Sequence, residues 1–249
     1  MARDLQRRRG RERQRLFVAE GVRTTEELLR SHLRIRGALI SPELAAAPRG
    51  SRLREALVAR GLDVHEVDET SFRSAADTES PQGVLAIAEI PERTLANLQV
   101  SGHARVLLLD AVQDPGNAGT LLRTAAALGA TATLALPGTV DIWNSKVVRS
   151  AMGALFLKPA YSCTWNEADV FLSSNGIELW AADAAGEVLA GVTDAAPARL
   201  AIAVGNEGTG LSAEVRRRVS RTVAIPVSEE TESLNVAVAA GILLYSLRP

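Results

Sequence analysis

Cysteine occurs once in the 249 residues, at Cys163, so no disulfide can form within the chain. Histidine is almost as rare: His32, His65 and His103 lie far apart and at no ligand-like spacing, and no metal site is expected. Lysine is confined to Lys146 and Lys158, which leaves nearly all of the positive charge to arginine. Long hydrophobic runs are missing as well. The longest, residues 236–245, is about half of the ~20 residues that a membrane helix needs, and no basic, apolar and small-residue leader pattern opens the sequence. No membrane partner is expected, and the cytoplasm is the expected location.

What is present fits a soluble globular protein of one large or two modest domains, with 47% hydrophobic and 23% charged residues. The net charge is only -1, yet it is unevenly spread. The first sixteen residues, MARDLQRRRGRERQRL, hold seven arginines against Asp4 and Glu12. That basic arm reads either as a solvated, frayed helix or as a contact for nucleic acid.

The first part of the chain reads as a small α/β unit. LFVAE is a strand, Thr24 and Glu27 have capping-box spacing for a helix that follows, and RIRGALIS is a strand. SRLREALVAR carries leucines at helical spacing, and LDVHEV and GVLAIAEI read as strands. A polar, proline-bearing stretch at 91–103 marks a domain boundary, giving domains at 1–95 and 100–249. Beyond it, the strands RVLLLD, TATLAL, IELWAAD, RLAIAVG and TVAIPV alternate with helices at 118–128, 145–154, 166–175, 212–219 and 235–247. That alternation predicts a parallel sheet covered on both faces, with ligands at the carboxyl ends of its strands.

Three of those strand ends carry unusual residues. In GNEGTG, Gly205 to Gly210, the glycines sit at positions one, four and six and no lysine follows, so neither the dinucleotide fingerprint nor the phosphate loop is met. Read alone it is a tight turn that places the Glu207 carboxylate at a strand end. In DPGNAGTLLRTAAALGA, Ala118, Leu121, Leu122, Ala125 and Leu128 form a buried stripe, with Asn117 expected at the N-cap and Arg123 on the opposite face. In AIPVSEETESLNVAVAAG, Ser233 and Asn235 precede an apolar helix and read as its cap or as ligand-handling groups.

Taken in order, the three segments resemble the SpoU/TrmH branch of the SPOUT superfamily of RNA methyltransferases, over essentially the whole chain. Asn117, Gly119 and Arg123 match the first motif of that family. Gly205, Glu207, Gly208, Gly210 and Leu211 match the second, and Ile225, Pro226, Ser233, Leu234, Asn235 and Val236 the third. Val227 stands where the family usually has Met, and Glu229 where it has Gly. WNSKVVRSAMGALF is similar to a Lys-x-x-Arg stretch of the family, here Lys146 and Arg149, and the first ninety residues look like its substrate-binding domain.

The resemblance implies a SPOUT-type parallel sheet whose C-terminal segment forms a deep trefoil knot, preceded by a small α/β/α RNA-binding domain. It implies S-adenosylmethionine as cofactor, held by Gly205, Ile225, Leu234 and Leu136. The reaction it implies is methyl transfer to a ribose 2'-hydroxyl, with Arg123 activating the hydroxyl and Asn117, Glu207, Ser233 and Asn235 holding substrate and arginine. Partners expected from the family are RNA, ribosomal rather than transfer RNA, and a second copy of the chain. The competing readings are a transfer RNA methyltransferase of the same family and a non-catalytic RNA-binding protein. The latter has no need of Asn117, Arg123 or Asn235, all of which are present.

Overall fold

The computed structural model describes residues 1–228, 230 and 233–248, so the motif departure at Glu229 lies outside the described residues. The chain forms two compact units, one made of Met1–Glu92 and Trp143–Leu157, the other of Arg93–Ile142 and Lys158–Pro249. No helix among the described residues is long and apolar enough to cross a membrane.

In the first unit, β1 (Leu16–Glu20), β2 (Ile35–Ile40), β3 (Val64–Glu66) and β4 (Val84–Glu89) pair in the order β1-β4-β2-β3. The β1/β4 and β4/β2 pairs are antiparallel and β2/β3 is parallel, the latter joined through the helix Pro48–Ala59. Every residue of β1 and the first five of β4 are buried, which is why both read as apolar runs rather than alternating patterns.

Two local expectations fail here. Thr24 and Thr25 do not cap a helix; the helix is Val22–Arg30, with Gly21 at its N-cap and both threonines buried inside it. Nor is the basic arm a frayed helix. It forms two short helices, Ala2–Leu5 and Arg8–Gln14, in which Leu5 is buried and Arg11 donates to the carbonyls of Leu5 (2.8 Å) and Gln6 (3.0 Å). Arg8 pairs with Glu12 and Arg13 with Asp4, so much of the charge is already answered locally.

Residues 143–157, assigned by sequence to the second domain, pack with the first unit. The cause is aromatic: Phe17 of β1 is fully buried between Trp143, at 4.7 Å, and Phe156, at 5.7 Å between ring centroids. Ser145 adds a hydrogen bond to Asp77 Oδ2 (2.9 Å), and Gly153 comes so close to Glu27 that a Cβ there would lie 2.6 Å from the Glu27 Cβ.

The second unit is built on six parallel strands: β5 (Ala104–Leu109), β6 (Ala132–Ala135), β7 (Ala160–Ser162), β8 (Glu178–Val188), β9 (Arg199–Val204) and β10 (Arg221–Ala224). Their order is β10-β8-β9-β5-β6-β7, and every pair is parallel, as the alternation of strands and helices predicts. The chain runs outward from β5 through β6 to β7 and resumes on the other side of β9. The carboxyl ends of β5 and β9 therefore flank the topological switch point. β8 pairs with β10 on either side of residues 182–186, which leave the ladder between Thr222 and Val223 and project from it.

The last helix, Val236–Ser246, is apolar on all sides. Leu243 and Leu244 are fully buried, each stabilising the fold by about 1.5–3 kcal/mol, against ~1 kcal/mol for the Asn235 cap, so burial makes the helix and the cap fixes where it starts. Arg105, 4% exposed, ties down its far end. Its Nε donates to the carbonyl of Leu247, and Nη1 reaches those of Ala104 (2.9 Å), Pro197 (3.0 Å) and Ala198 (2.9 Å). Burial lowers its pKa from the usual arginine value.

Candidate functional site

The switch point gathers all three motif segments. Just past β5, Asp114 caps the helix Pro115–Ala127 by accepting the Asn117 amide on Oδ1 (2.7 Å), with Pro115 at the first helical position. Asn117 is therefore not the N-cap that its sequence position suggested. Its side chain, relieved of capping, points elsewhere: Nδ2 donates to Glu207 Oε1 (2.7 Å), and Oδ1 accepts from Asn235 Nδ2 (2.9 Å).

Asn235 is the cap that the sequence offered, and its side chain has a second partner in Asn117. Its Oδ1 caps the last helix, taking the amides of Ala237 (2.9 Å) and Val238 (3.3 Å), while its Nδ2 goes to Asn117. One chain of side-chain bonds, Asn235 to Asn117 to Glu207, thus joins pairs 118 and 90 positions apart in sequence.

The GNEGTG loop is held mainly by itself. Asn206 and Gly210 exchange backbone bonds (3.1 and 2.9 Å), and Asn206 Oδ1 accepts the amides of Gly208 (2.9 Å) and Thr209 (3.0 Å). A Cβ on Gly205 would lie 2.4 Å from the Gly210 carbonyl carbon, so glycine is required there by the loop's own backbone. Buried Asp110, at the end of β5, accepts the Ser212 amide (2.6 Å) and fixes the loop's exit.

Beside this chain lies a cavity of ≈ 430 Å³. Its apolar wall includes Leu211, Val223, Ile225, Leu234 and Leu243, and Glu207, Ser233 and Asn235 supply polar groups. Gly205 and the exposed Val227 also line it, as does Asp183, carried in by the segment that leaves the β8 ladder. Among the described residues, two carboxylates and no arginine or lysine line the cavity, which suits a ligand with an apolar body and a positive charge.

Three expected site residues are not among those that line it: Asn117, which is bonded to the lining residues Glu207 and Asn235, and Leu136 and Arg123. Leu136 is 4% exposed within the core cluster formed with Leu108, Tyr161 and Ala168. Arg123 is exposed on the helix Pro115–Ala127, with no hydrogen bond or ion pair among the described residues, six positions and so roughly 9 Å along the axis from Asn117. Asp183 and Asp110 were not singled out from sequence. A strand-end aspartate was a signal for each, but the excursion that turns Asp183 to the cavity has no sequence signature.

Residues 104–245 match the family model of the SpoU rRNA methylase family, more than half of the chain. The chain belongs to the SpoU family. Residues 1–86 match a second model, the MRM3-like substrate binding domain. Over 239 residues this SpoU methylase is 34% identical to the 23S rRNA (guanosine(2553)-2'-O)-methyltransferase RlmP of Bacillus subtilis, covering 93% of this chain and 88% of that protein. It is 33% identical to the 23S rRNA (adenosine(1067)-2'-O)-methyltransferase of Streptomyces laurentii, covering 75% of this chain and 69% of the relative. Among solved structures it resembles the AdoMet-bound rRNA methyltransferase of Sinorhizobium meliloti, with a TM-score of 0.85, 29% identity and coverage of 99% and 92%. Its parallel sheet and motif order are thus those of SpoU enzymes.

Proposed function

We propose that this protein transfers a methyl group from S-adenosylmethionine to a ribose 2'-hydroxyl of ribosomal RNA. The observation that carries the reading is the Asn235–Asn117–Glu207 chain, which joins all three motif segments beside a cavity that, among the described residues, holds carboxylates and no cationic side chain. The choice of ribosomal over transfer RNA is supported by the names of the relatives.

The cavity fits the cofactor in size and charge. Ile225, Leu234 and Leu211 form a slot for an adenine, and Glu207 and Asp183 offer negative charge to a sulfonium and an ammonium group. When bound, the cofactor supplies an electrophilic methyl on an already activated leaving group. The chain's own task is then to align the hydroxyl and to lower the cost of removing its proton.

Asn117 holds the Glu207 carboxylate at a fixed place beside the cavity, and Asn235 holds Asn117. Ser233, at the rim, is placed to bond the ribose. Arg123, with no protein partner among the described residues, is free to reach RNA. A guanidinium offers hydrogen-bond donors and no acceptor, so its part is to stabilise the oxyanion that develops on the ribose rather than to act as a simple base.

The reading extends to topology and assembly. The C-terminal segment is proposed to be threaded as a trefoil knot, which the return of helix Val236–Ser246 from edge strand β10 to the helix Pro115–Ala127 supports. A homodimer is proposed through that last helix, where Val238, Ile242 and Tyr245 form an exposed apolar stripe, 51%, 36% and 54% accessible. The first unit is proposed to bind RNA, and the protein to work in the cytoplasm.

The test is to incubate the protein with cofactor carrying a tritiated methyl, offering unmodified 23S rRNA or transfer RNA, and to digest the product to nucleosides. Label in a 2'-O-methylnucleoside from the ribosomal RNA is the expected result. Label on a base, or in transfer RNA alone, contradicts the proposal.

A further inference from the structure

The first unit contains a cavity of ≈ 720 Å³ that the reaction above does not use. Its walls come from the start of helix Val22–Arg30, the turn Pro42–Ala46, the loop before β4 and the helix Ser145–Ser150.

The charged groups on these walls divide into occupied and unoccupied. Glu20, 1% exposed, accepts from the Asp77 amide (2.8 Å) and the Thr78 hydroxyl. Arg49 makes two bonds to the Glu26 carboxylate, and that hydrogen bonding lowers the Glu26 pKa from its usual value. Arg149 is different. Its Nη1 is buried without a hydrogen-bond partner, and the guanidinium makes no ion pair among the described residues. Arg23, exposed, makes no hydrogen bond or ion pair among the described residues, although its charge is felt at Glu26. Glu43 is the remaining carboxylate on the wall, and it is exposed.

A buried charged donor without an acceptor is costly, and a protein that retains one beside a cavity is built to receive the acceptor from outside. The local field has the same sign. Helix Val22–Arg30 opens onto the cavity with Gly21 at its N-cap, which has no side chain to cap it, and Gln82 Oε1 takes the Val22 amide alone (2.9 Å). Leu44, Ala47, Pro81 and Met152 give the wall an apolar part, beside the uncharged polar Thr24, Thr78, Ser80 and Gln82. An anion joined to a flat or apolar body fits that combination, and the volume far exceeds what a lone phosphate fills.

We propose that this cavity binds one unstacked nucleotide of the RNA substrate, with Arg149 and Arg23 on its phosphate and the base or sugar against Leu44, Pro81 and Met152. Unpaired segments of RNA present splayed nucleotides to sites of this kind. The site would fix the register of the RNA from a place outside the reaction cavity. This inference rests on the reading of the protein as an RNA methyltransferase.

The experiment titrates the full-length protein with an unmodified 23S rRNA transcript at several salt concentrations, and separately with S-adenosylmethionine by calorimetry. For Arg149→Gln the RNA affinity falls by about tenfold or more, and the slope of log affinity against log salt becomes shallower by roughly 0.7–0.9. Arg23→Gln gives a smaller loss in the same direction, and it carries the test alone should Arg149→Gln fail to fold, since Arg23 is exposed. Cofactor affinity stays unchanged in both. If the wild type methylates the transcript and both substitutions leave RNA affinity and salt slope as they were, the pocket is wrong and the activity stands. Loss of cofactor binding together with RNA binding in Arg23→Gln also overturns the pocket, by showing a general structural effect. A wild type with no affinity for RNA overturns both readings.

Discussion

In the second unit the polar groups beside the cavity are bonded to one another, Asn235 to Asn117 to Glu207, and the loop carrying Glu207 is held by its own backbone. In the first unit, Arg149 Nη1 is buried without a hydrogen bond and Arg23 makes no hydrogen bond or ion pair among the described residues. A bonded chain is already in place before a ligand arrives, which is what a reaction needing alignment requires. An unanswered guanidinium gains its hydrogen bonds only when a ligand arrives, which suits binding rather than chemistry. The two cavities therefore divide the work: one orders the reacting groups, the other grips the RNA.

The separation is broken most strongly by Leu234→Arg, which places a charge in the apolar wall of the second-unit cavity. Cofactor binding in calorimetry should vanish while affinity for ribosomal RNA stays within about twofold. Loss of both would mean that the cavities do not act independently.

Two arginines sharpen the contrast, Arg105, which is buried, and Arg149, which is half-buried with its Nη1 out of solvent. Arg105→Met removes a donor from four carbonyls, of which Ala198 keeps the Ala104 amide, and should lower stability to urea by about 3 kcal/mol. Arg149→Met removes a guanidinium nitrogen that bonds to nothing, so the same urea titration should show no loss, or a small gain. Equal losses for the two would show that Arg149 has a structural partner after all.

Asn117→Ala cuts the bonded chain at its middle. Because the bonds lie near the surface, stability should change by less than about 1 kcal/mol, but methyl transfer should slow by about tenfold or more as Glu207 and Asn235 lose their common anchor. The smallest effect concerns Cys163, which lacks a partner for another reason. Burial, aided by Glu167, pushes its thiol up to about 12. At pH 8 only on the order of one molecule in ten thousand carries the thiolate, so alkylation should be slow in the folded protein and fast in denaturant. Rapid labelling of the folded protein would contradict that burial.

The motifs were legible because the residues that meet at the switch point are polar groups placed where strands end, and Asn117, Glu207 and Asn235 stand out against apolar neighbours. The parallel sheet was legible too, from apolar strands alternating with helices. The partnership of residues 143–157 was not: Trp143 and Phe156 look like any core aromatics until Phe17, more than a hundred positions away, is brought between them. Leu136 shows the converse, since a leucine at a strand end serves a core as readily as a pocket, and here it is buried in the core cluster and does not line the cavity. Asp114 took the cap expected of Asn117 because Pro115 fits the first helical position and moves the helix start three residues earlier. The short strand β7 and the 182–186 excursion of β8 depend on neighbours rather than on local pattern, and neither could be read in advance.

Arg123 is the residue on which the proposed chemistry depends and the one that the bonded chain does not include. The measurement that tests it most directly is the single-turnover rate of methyl transfer with saturating ribosomal RNA for Arg123→Ala, beside its cofactor affinity and its stability. Arg123 is exposed and has no partner among the described residues, so stability and cofactor affinity should match the wild type, while the rate falls by about a thousandfold as oxyanion stabilisation is lost. An unchanged rate would show that Arg123 is a solvated helix residue and would contradict the account.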